Sequence, residues 1–267
     1  MKHGKVTLDV NDSVGVLTLN DPSSLNAWGL KLREDFADAM AFLEDKSNAV
    51  RCVVITGAGR AFSSGANLND PDAPPRDRKA EAEGAEQSSL ETYYNPMFLR
   101  MRELPIPIVS AVNGVAAGVG MSFALSADLV VMAKSAYFLQ AFARIGLVPD
   151  GGSTYVLPRL IGVRRALELS MLAERLPAET ALEWGLVTKV VEDNRLMDEA
   201  IELAGRLANG PMSLGLIRQM YWQSLESDYA SQLATEAKMQ TQAGLSQDYE
   251  EGVSAFREKR QAQFTGQ

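Results

Sequence analysis

One acidic side chain, Asp150, stands where the sequence predicts both a turn and the start of a helix. It belongs to residues 149–152, which read Pro-Asp-Gly-Gly and follow an apolar stretch that contains Phe142 and Val148. An aspartate in this position can cap the helix, because its carboxylate accepts hydrogen bonds from the first free N–H groups. If the carboxylate faces an apolar pocket instead, burial raises its pKa, and the group can take up a proton and return it. Both interpretations are open at this stage.

Two glycine-rich turns could each supply a main-chain hydrogen-bond donor. The apolar residues 108–112 predict a buried strand, and the turn from Asn113 to Gly118 follows it, before a mostly apolar segment of helical length. Residues 53–56 predict another buried strand, which the glycine-rich residues 57–68 follow. Such a turn leaves backbone N–H groups free at a helix start, where the dipole adds partial positive charge, so two donors could meet at one oxyanion. Alternatively, both are ordinary turns in which glycine supplies unusual dihedral angles.

The composition of the 267-residue chain excludes several other classes of chemistry. The single histidine, His3, rules out Ser-His-Asp, Cys-His and multi-histidine metal sites, so we expect no metal. The net charge of −8 argues against nucleic acid as a partner, since nucleic-acid binding needs a basic face. The single cysteine, Cys52, forbids an internal disulfide, and no apolar run has the length of a membrane helix. We therefore expect a cytoplasmic protein without a signal peptide or membrane contact.

The candidate residues lie in a chain whose first part alternates strands and helices. The predicted elements there are a hairpin over 6–19, helices over 28–45 and 90–104, and strands over 129–133, 136–139 and 186–191. The charged, proline-containing residues 69–89 are either a lid over the site or a plain surface insertion. From residue 195 the pattern is helical, which divides the chain into a β-containing core, 1–195, and a helical region, 196–267. The apolar faces of that region favour packing on another subunit.

Six motifs follow one another along the chain. They are residues 25–27 (Leu-Asn-Ala), 61–68 (Ala-Phe-Ser-Ser-Gly-Ala-Asn-Leu), 113–118 (Asn-Gly-Val-Ala-Ala-Gly), 149–152, 181–187 and 251–260. In this order they resemble the enoyl-CoA hydratase/isomerase (crotonase) superfamily. The resemblance implies an α/β fold: a crotonase-like spiral of ββα units with a C-terminal helical trimerisation region. It also implies an acyl-CoA thioester substrate, no cofactor other than the coenzyme A carried by that substrate, and a homotrimer or homohexamer.

The resemblance further implies which residues bind the thioester. The N–H groups of Ala66 and Val119 would hold its carbonyl oxygen as an enolate develops, and Asp150 would be the catalytic carboxylate. Phe256 and Lys259 would contact coenzyme A, often from a neighbouring subunit. The rest of the expected substrate site is Ala61, Ser64, Gly65, Leu68 and Phe142. Helical spacing also places Tyr93, Met97 and Met101 on one face of the helix predicted over 90–104, and this face either packs in the core or shapes the acyl pocket.

Two departures from the family pattern indicate the reaction. The two glutamates with which hydratases of this family activate water correspond to Ser122 and Phe142 here, so Asp150 is the one acid in place. A single aspartate in this motif resembles the enoyl-CoA isomerases of the phenylacetate pathway, and one carboxylate suffices to shift a double bond by moving a proton. The alternatives are an enoyl-CoA hydratase, an acyl-CoA hydrolase or dehalogenase that uses Asp150, and a non-catalytic acyl-CoA-binding member.

Overall fold

Strands from successive ββα units build two sheets in this α/β protein. A computed structural model describes residues 4–73 and 75–267, so the only histidine, His3, lies outside the described residues. In chain order the strands within those residues are β1 (Val6–Asn11), β2 (Val14–Leu19), β3 (Cys52–Gly57), β4 (Ala61–Ser63), β5 (Ile108–Val112), β6 (Val115–Ala117), β7 (Leu129–Ala133), β8 (Tyr137–Leu139), β9 (Arg175–Pro177) and β10 (Lys189–Val191). The main sheet has the order β1-β2-β3-β5-β7-β10, and the second sheet has the order β4-β6-β8-β9. Neighbouring strands are parallel except β1 with β2 and β8 with β9.

Helices follow the strand pairs and continue alone after β10. Within the described residues they are α1 (Leu30–Glu44), α2 (Arg78–Ala82), α3 (Asn95–Glu103), α4 (Val119–Ala124), α5 (Ser153–Leu172), α6 (Ala178–Glu183), α7 (Leu196–Ala208), α8 (Ser213–Ser224), α9 (Tyr229–Gly244) and α10 (Gln247–Glu258). A π-helical turn, Leu90–Tyr94, leads directly into α3. The units β3-β4, β5-β6 and β7-β8 each give one strand to each sheet before a helix begins. This repeat matches the predicted spiral of ββα units.

The core explains why the central strands form where the sequence predicts them. Every residue of β3 and of β5 is buried, as expected for parallel strands that are covered on both faces. In this core, Trp28, Phe36 and Phe123 pack edge to face, with ring centroids 4.6 to 5.3 Å apart. Because Trp28 precedes α1 and Phe123 lies in α4, this aromatic cluster fixes the position of α4 against α1.

Both predicted glycine turns contain a short strand, which is a difference from the sequence prediction. Residues 57–68 include β4, and residues 113–118 include β6. Strands of three residues beside glycine show no alternation, so the hydrophobic pattern gives no sign of them. The helix after Gly118 is also shorter than its apolar segment and ends at Ala124. Residues 69–89 hold α2 and are largely exposed where the structure describes them.

The helical region that begins near residue 195 has two different parts. The first helix, α7, packs across β3, β5 and β7, and its small residues Ala200, Ala204 and Ala208 are buried in the main core. The later helices leave large apolar side chains in solvent: Tyr229 is 81% exposed and Phe256 is 84% exposed. None of the described helices combines the length and the apolar character needed to span a membrane.

Candidate active site

The two glycine turns meet because they follow neighbouring parallel strands. Since β4 pairs with β6 in parallel, the residues after Ser63 and Ala117 emerge at the same edge of the second sheet. Gly65 has a φ of +98°, and a Cβ atom placed on it would lie 2.8 Å from the carbonyl oxygen of Ala117 and 3.7 Å from the amide nitrogen of Val119. Glycine is therefore required at position 65, both for the backbone dihedral and for the close approach of the two turns.

Two main-chain amides at this junction are available to a ligand. Within the described chain, neither Ala66 N–H nor Val119 N–H donates to a protein acceptor. Val119 is the first residue of α4, where amides have no partner inside the helix. The residue is 2% exposed, and its side chain packs in the core. The turns thus place the two amides that the family resemblance singled out close together.

The peptide units that carry these amides are held from their carbonyl side. The carbonyl of Gly65, which shares a peptide plane with Ala66 N–H, accepts a hydrogen bond from Trp28 N–H at 2.8 Å. The carbonyl of Gly118, in the same plane as Val119 N–H, accepts from the amides of Met121 at 3.0 Å and Ser122 at 3.2 Å. Such bonds fix the direction of each N–H and strengthen it as a donor by polarising the peptide. An oxygen that gains negative charge is the ligand that two such donors suit.

Asp150 does not cap the following helix, so that interpretation is wrong. The residue before α5 is Gly152, and no side chain caps this helix. The main chain of Asp150 is instead anchored, because its carbonyl oxygen accepts from the hydroxyl of Ser122 at 3.0 Å, the hydroxyl of Ser153 at 2.6 Å and the amide of Ser153 at 3.1 Å. Its carboxylate atom Oδ1 is buried and has no hydrogen-bond partner in the described chain.

The environment of Asp150 holds its carboxylate ready to exchange a proton. Burial raises the pKa of Asp150 to about 6, since desolvation disfavours the charged form. No neighbouring charge in the described chain contributes to this shift. The adjacent Gly151, with a φ of +59°, lies against the ring of Phe98, and a Cβ atom there would be 2.7 Å from that ring. A carboxylate whose pKa lies close to neutral can act as a base and then as an acid.

Tyr94 lies beside the candidate site, and the sequence analysis did not single it out. Its hydroxyl donates to the carbonyl of Trp28 at 3.2 Å, and Trp28 pairs with Ala66 in an isolated parallel bridge. Burial raises the pKa of Tyr94 to about 12, and the charge of Asp150 adds to this rise, so the phenol remains protonated. Regular helical spacing indicated Tyr93 instead. The π-helical turn Leu90–Tyr94 changes the phase of the helix, and Tyr93 is consequently 36% exposed.

The structure places Ala61, Ser64, Leu68 and Phe142 in four different environments. Ala61 is buried in β4, Ser64 donates from its hydroxyl to Ser24 O at 3.1 Å, and Leu68 is 70% exposed. The ring of Phe142 lies 3.8 Å from where a Cβ atom of Gly118 would be, which puts it beside the Val119 turn.

The remaining predicted residues belong to the hydrophobic core or to the C-terminal helices. Met97 and Met101 belong to the hydrophobic core, and Met101 has no exposed surface, so it does not line an open acyl pocket. Phe256 lines a cavity of about 530 Å³ between α8, α9 and α10, and Lys259 follows the last residue of α10 with a φ of +55°. Among the described residues, no cluster of His, Cys, Asp or Glu side chains suits a metal ion.

The fold and the paired glycine turns define an α/β protein of the crotonase type. A family model described as enoyl-CoA hydratase/isomerase matches residues 9–267. The chain belongs to the enoyl-CoA hydratase/isomerase family, which confirms the resemblance predicted from its motifs.

Relatives and solved structures cover the chain almost from end to end. A 1,2-epoxyphenylacetyl-CoA isomerase from Escherichia coli K12 is 43% identical over 96% of this chain and 97% of its own length. A short-chain-enoyl-CoA hydratase from Clostridium acetobutylicum is 31% identical over 97% of both chains. The crystal structure of an enoyl-CoA hydratase from Bacillus anthracis superposes with a TM-score of 0.89 at 28% identity, over 98% of this chain and 100% of that one. The family thus contains both isomerases and hydratases among the relatives of this chain.

Proposed function

We propose that this protein is an acyl-CoA isomerase that shifts a carbon–carbon double bond by proton transfer through Asp150. The observation that carries this proposal is the carboxylate itself, which is buried at Oδ1, unpartnered and anchored only through its main chain. Ser122, which binds the main-chain carbonyl of Asp150, follows Val119 by one turn of α4. An unpartnered carboxylate is costly to bury and is commonly retained where its reactivity is used.

The reaction follows from these groups when a 3-enoyl-CoA binds with its thioester oxygen on the Ala66 and Val119 amides. Asp150 takes a proton from C2, and the C–H electron pair moves into the thioester to form a dienolate. Each amide stabilises the charged oxygen by roughly 3–4 kcal/mol, as judged from other oxyanion-binding donors. The protonated Asp150 then returns the proton to C4, which leaves the double bond between C2 and C3. No atom is gained or lost, so one carboxylate serves both steps.

Hydration of an enoyl-CoA would need catalytic groups that these residues do not supply. Adding water needs one group to activate it and another to deliver a proton, and the resemblance puts those groups at Ser122 and Phe142. A hydroxyl that is already hydrogen-bonded to Asp150 O and an apolar ring cannot replace two glutamates. The name of the Escherichia coli relative supports an isomerase, whereas the Clostridium relative keeps a hydratase as the second candidate.

The test is to incubate the protein with 3-enoyl-CoA, 2-enoyl-CoA and a saturated acyl-CoA and to identify the products by mass and chromatography. We expect interconversion of the two enoyl isomers without a mass change and without release of coenzyme A. Gain of the mass of water would establish a hydratase, and free coenzyme A would establish a hydrolase. Asp150→Asn should abolish isomerisation while the saturated thioester still binds, and full turnover by this variant would remove Asp150 from the mechanism.

We also propose that the C-terminal helices assemble the chain into a homotrimer or homohexamer. The support is the exposure of large apolar side chains there, including Tyr229 and Phe256, which water disfavours. Phe256 and Lys259 would then contact the coenzyme A bound to a neighbouring subunit. Sedimentation analysis tests the assembly. Lys259→Ala should raise the KM for acyl-CoA with little change in kcat, and a monomer with full activity would contradict both parts.

A further inference from the structure

A groove between α1 and α3 contains a half-buried guanidinium group without a counter-ion. The groove has a volume of about 230 Å³. Its walls are largely apolar and include Leu30, Phe36, Met40 and Met97. Arg33 lies at this groove with its Cζ 4.3 Å from the centroid of the Tyr93 ring. The aromatic ring holds the cation in place through a cation–π contact.

The donors of Arg33 are not satisfied by the protein. Its Nε is buried and has no hydrogen-bond partner, and no carboxylate of the described chain lies within salt-bridge distance, although Glu34 lines the same groove. Arg100, on the opposite wall, differs in this respect because it makes a two-point ion pair with Glu44 at 2.8 and 2.9 Å. A partly buried, unpaired guanidinium is costly, and an oxyanion is the ligand that satisfies it best.

A chain of contacts connects Arg33 to the amide of Ala66. The Cζ of Arg33 lies 5.6 Å from the centroid of the Tyr94 ring. The Tyr94 hydroxyl binds Trp28 O, and Trp28 pairs with Ala66. Tyr94 therefore stands between the two glycine turns and the guanidinium. An acyl chain held at the Ala66 amide would have to pass Tyr94 to enter the groove.

We propose that this groove binds the far end of the acyl chain and that Arg33 recognises a carboxylate there. The substrates of this protein would then include enoyl-CoA thioesters that carry a terminal carboxylate. This inference rests on the proposed function for the position of the thioester. Arg33 is in this view a specificity-determining residue, and the apolar walls of the groove accept the methylene groups that precede the carboxylate.

The experiment compares binding of saturated acyl-CoA thioesters with and without a terminal carboxylate, in a series of increasing chain length, by calorimetry. The wild-type protein should prefer the carboxylated thioester about tenfold or more at one chain length, as expected for a charge-assisted hydrogen bond. Arg33→Gln should remove this preference, and the matched variant Arg100→Gln, which alters an already paired cation of the same groove, should retain it. Circular dichroism verifies that both variants are folded.

Isomerisation of an unsubstituted 3-enoyl-CoA is measured in parallel, so that the two proposals can fail separately. If the wild-type protein shows no carboxylate preference at any chain length, or if Arg33→Gln retains it, the recognition site is overturned while isomerisation stands. If the preference is present but no isomerisation occurs, the proposed reaction is overturned and the anion site stands.

Discussion

The hydroxyl oxygen of Ser122 lies 3.0 Å from the carbonyl oxygen of Asp150. It is also 2.7 Å from the hydroxyl oxygen of Ser153, which itself donates to the same carbonyl. Ser122 lies in α4, one helical turn after Val119, whose amide donates to no acceptor in the described chain. This pair of serines therefore connects the loop that carries Asp150 to α4. The bonds engage only the main chain of Asp150, which leaves its carboxylate available for substrate.

Removing either serine hydroxyl should lower kcat with little effect on KM. Ser122→Ala or Ser153→Ala deletes one bond to the carbonyl of Asp150, and a loss of about 1 kcal/mol in positioning corresponds to roughly a fivefold to tenfold fall in kcat. Because both bonds restrain one loop, the double variant should lose less than the product of the single effects. Steady-state kinetics on 3-enoyl-CoA provide these values.

Ser126→Ala is the matched control for the serine pair. The Ser126 hydroxyl donates to Ser122 O at 2.9 Å but has no bond to Asp150. It should leave kcat within about twofold of the wild-type value if positioning of Asp150 is the cause. An equal loss in the Ser122, Ser153 and Ser126 variants would indicate a general loss of structure rather than a role for the serine pair.

The rate of isomerisation should depend on pH through the raised pKa of Asp150. Proton abstraction needs the carboxylate, so kcat/KM should rise about tenfold per pH unit below pH 6 and level off above it. Initial rates between pH 4.5 and 8.5 test this expectation. A value of kcat/KM that stays nearly level down to pH 4.5, as for an aspartate with an ordinary pKa near 4, would mean that the carboxylate is solvated in the working protein.

Ionisation of Asp150 should lower the free energy of unfolding at high pH. Its pKa is higher in the folded protein than the ordinary 3.8, so the folded state binds more protons between about pH 4 and 6, and stability falls as the pH rises through that window. Asp150→Asn removes the charge and should raise the free energy of unfolding at pH 8 by about 1–2 kcal/mol, allowing for partial exposure. At pH 4 the two proteins should be equally stable in urea titrations. A destabilised variant at pH 8 would contradict this explanation.

The role of the Val119 amide can be separated from the role of its side chain. Val119→Pro removes the N–H, and proline is accepted at the first position of a helix, so α4 should remain. The loss of one oxyanion donor should reduce kcat by roughly 10²- to 10³-fold. Val119→Ala retains the N–H while losing packing, so it should reduce stability but retain most of kcat. Comparable kcat values for the proline variant and the wild type would exclude this amide as a donor.

Local residue types were sufficient to predict the two glycine turns and the turn that carries Asp150. The glycines of the two turns mark positions where the chain needs an unusual dihedral and a close approach, and Gly65 meets both conditions. Pro-Asp-Gly-Gly marked the Asp150 turn. The same reasoning left two alternatives for Asp150, a carboxylate that caps the following helix and a carboxylate that faces an apolar pocket, because the same local sequence is compatible with both. It also selected Tyr93 over Tyr94, because a π-helical turn has no signature in apolar spacing.

The sequence by itself determined the family, the ββα repeat and the positions of the Ala66, Val119 and Asp150 turns, since these depend on short motifs and on the order of apolar segments. Only the tertiary structure decided which groups have partners. Asp150 is anchored by Ser122, which lies 28 residues away, and its Oδ1 is left without a partner. Arg33 lacks a counter-ion while Arg100 has Glu44. Hydrogen bonding and desolvation depend on atoms that folding brings together from distant parts of the chain, so no local pattern contains them.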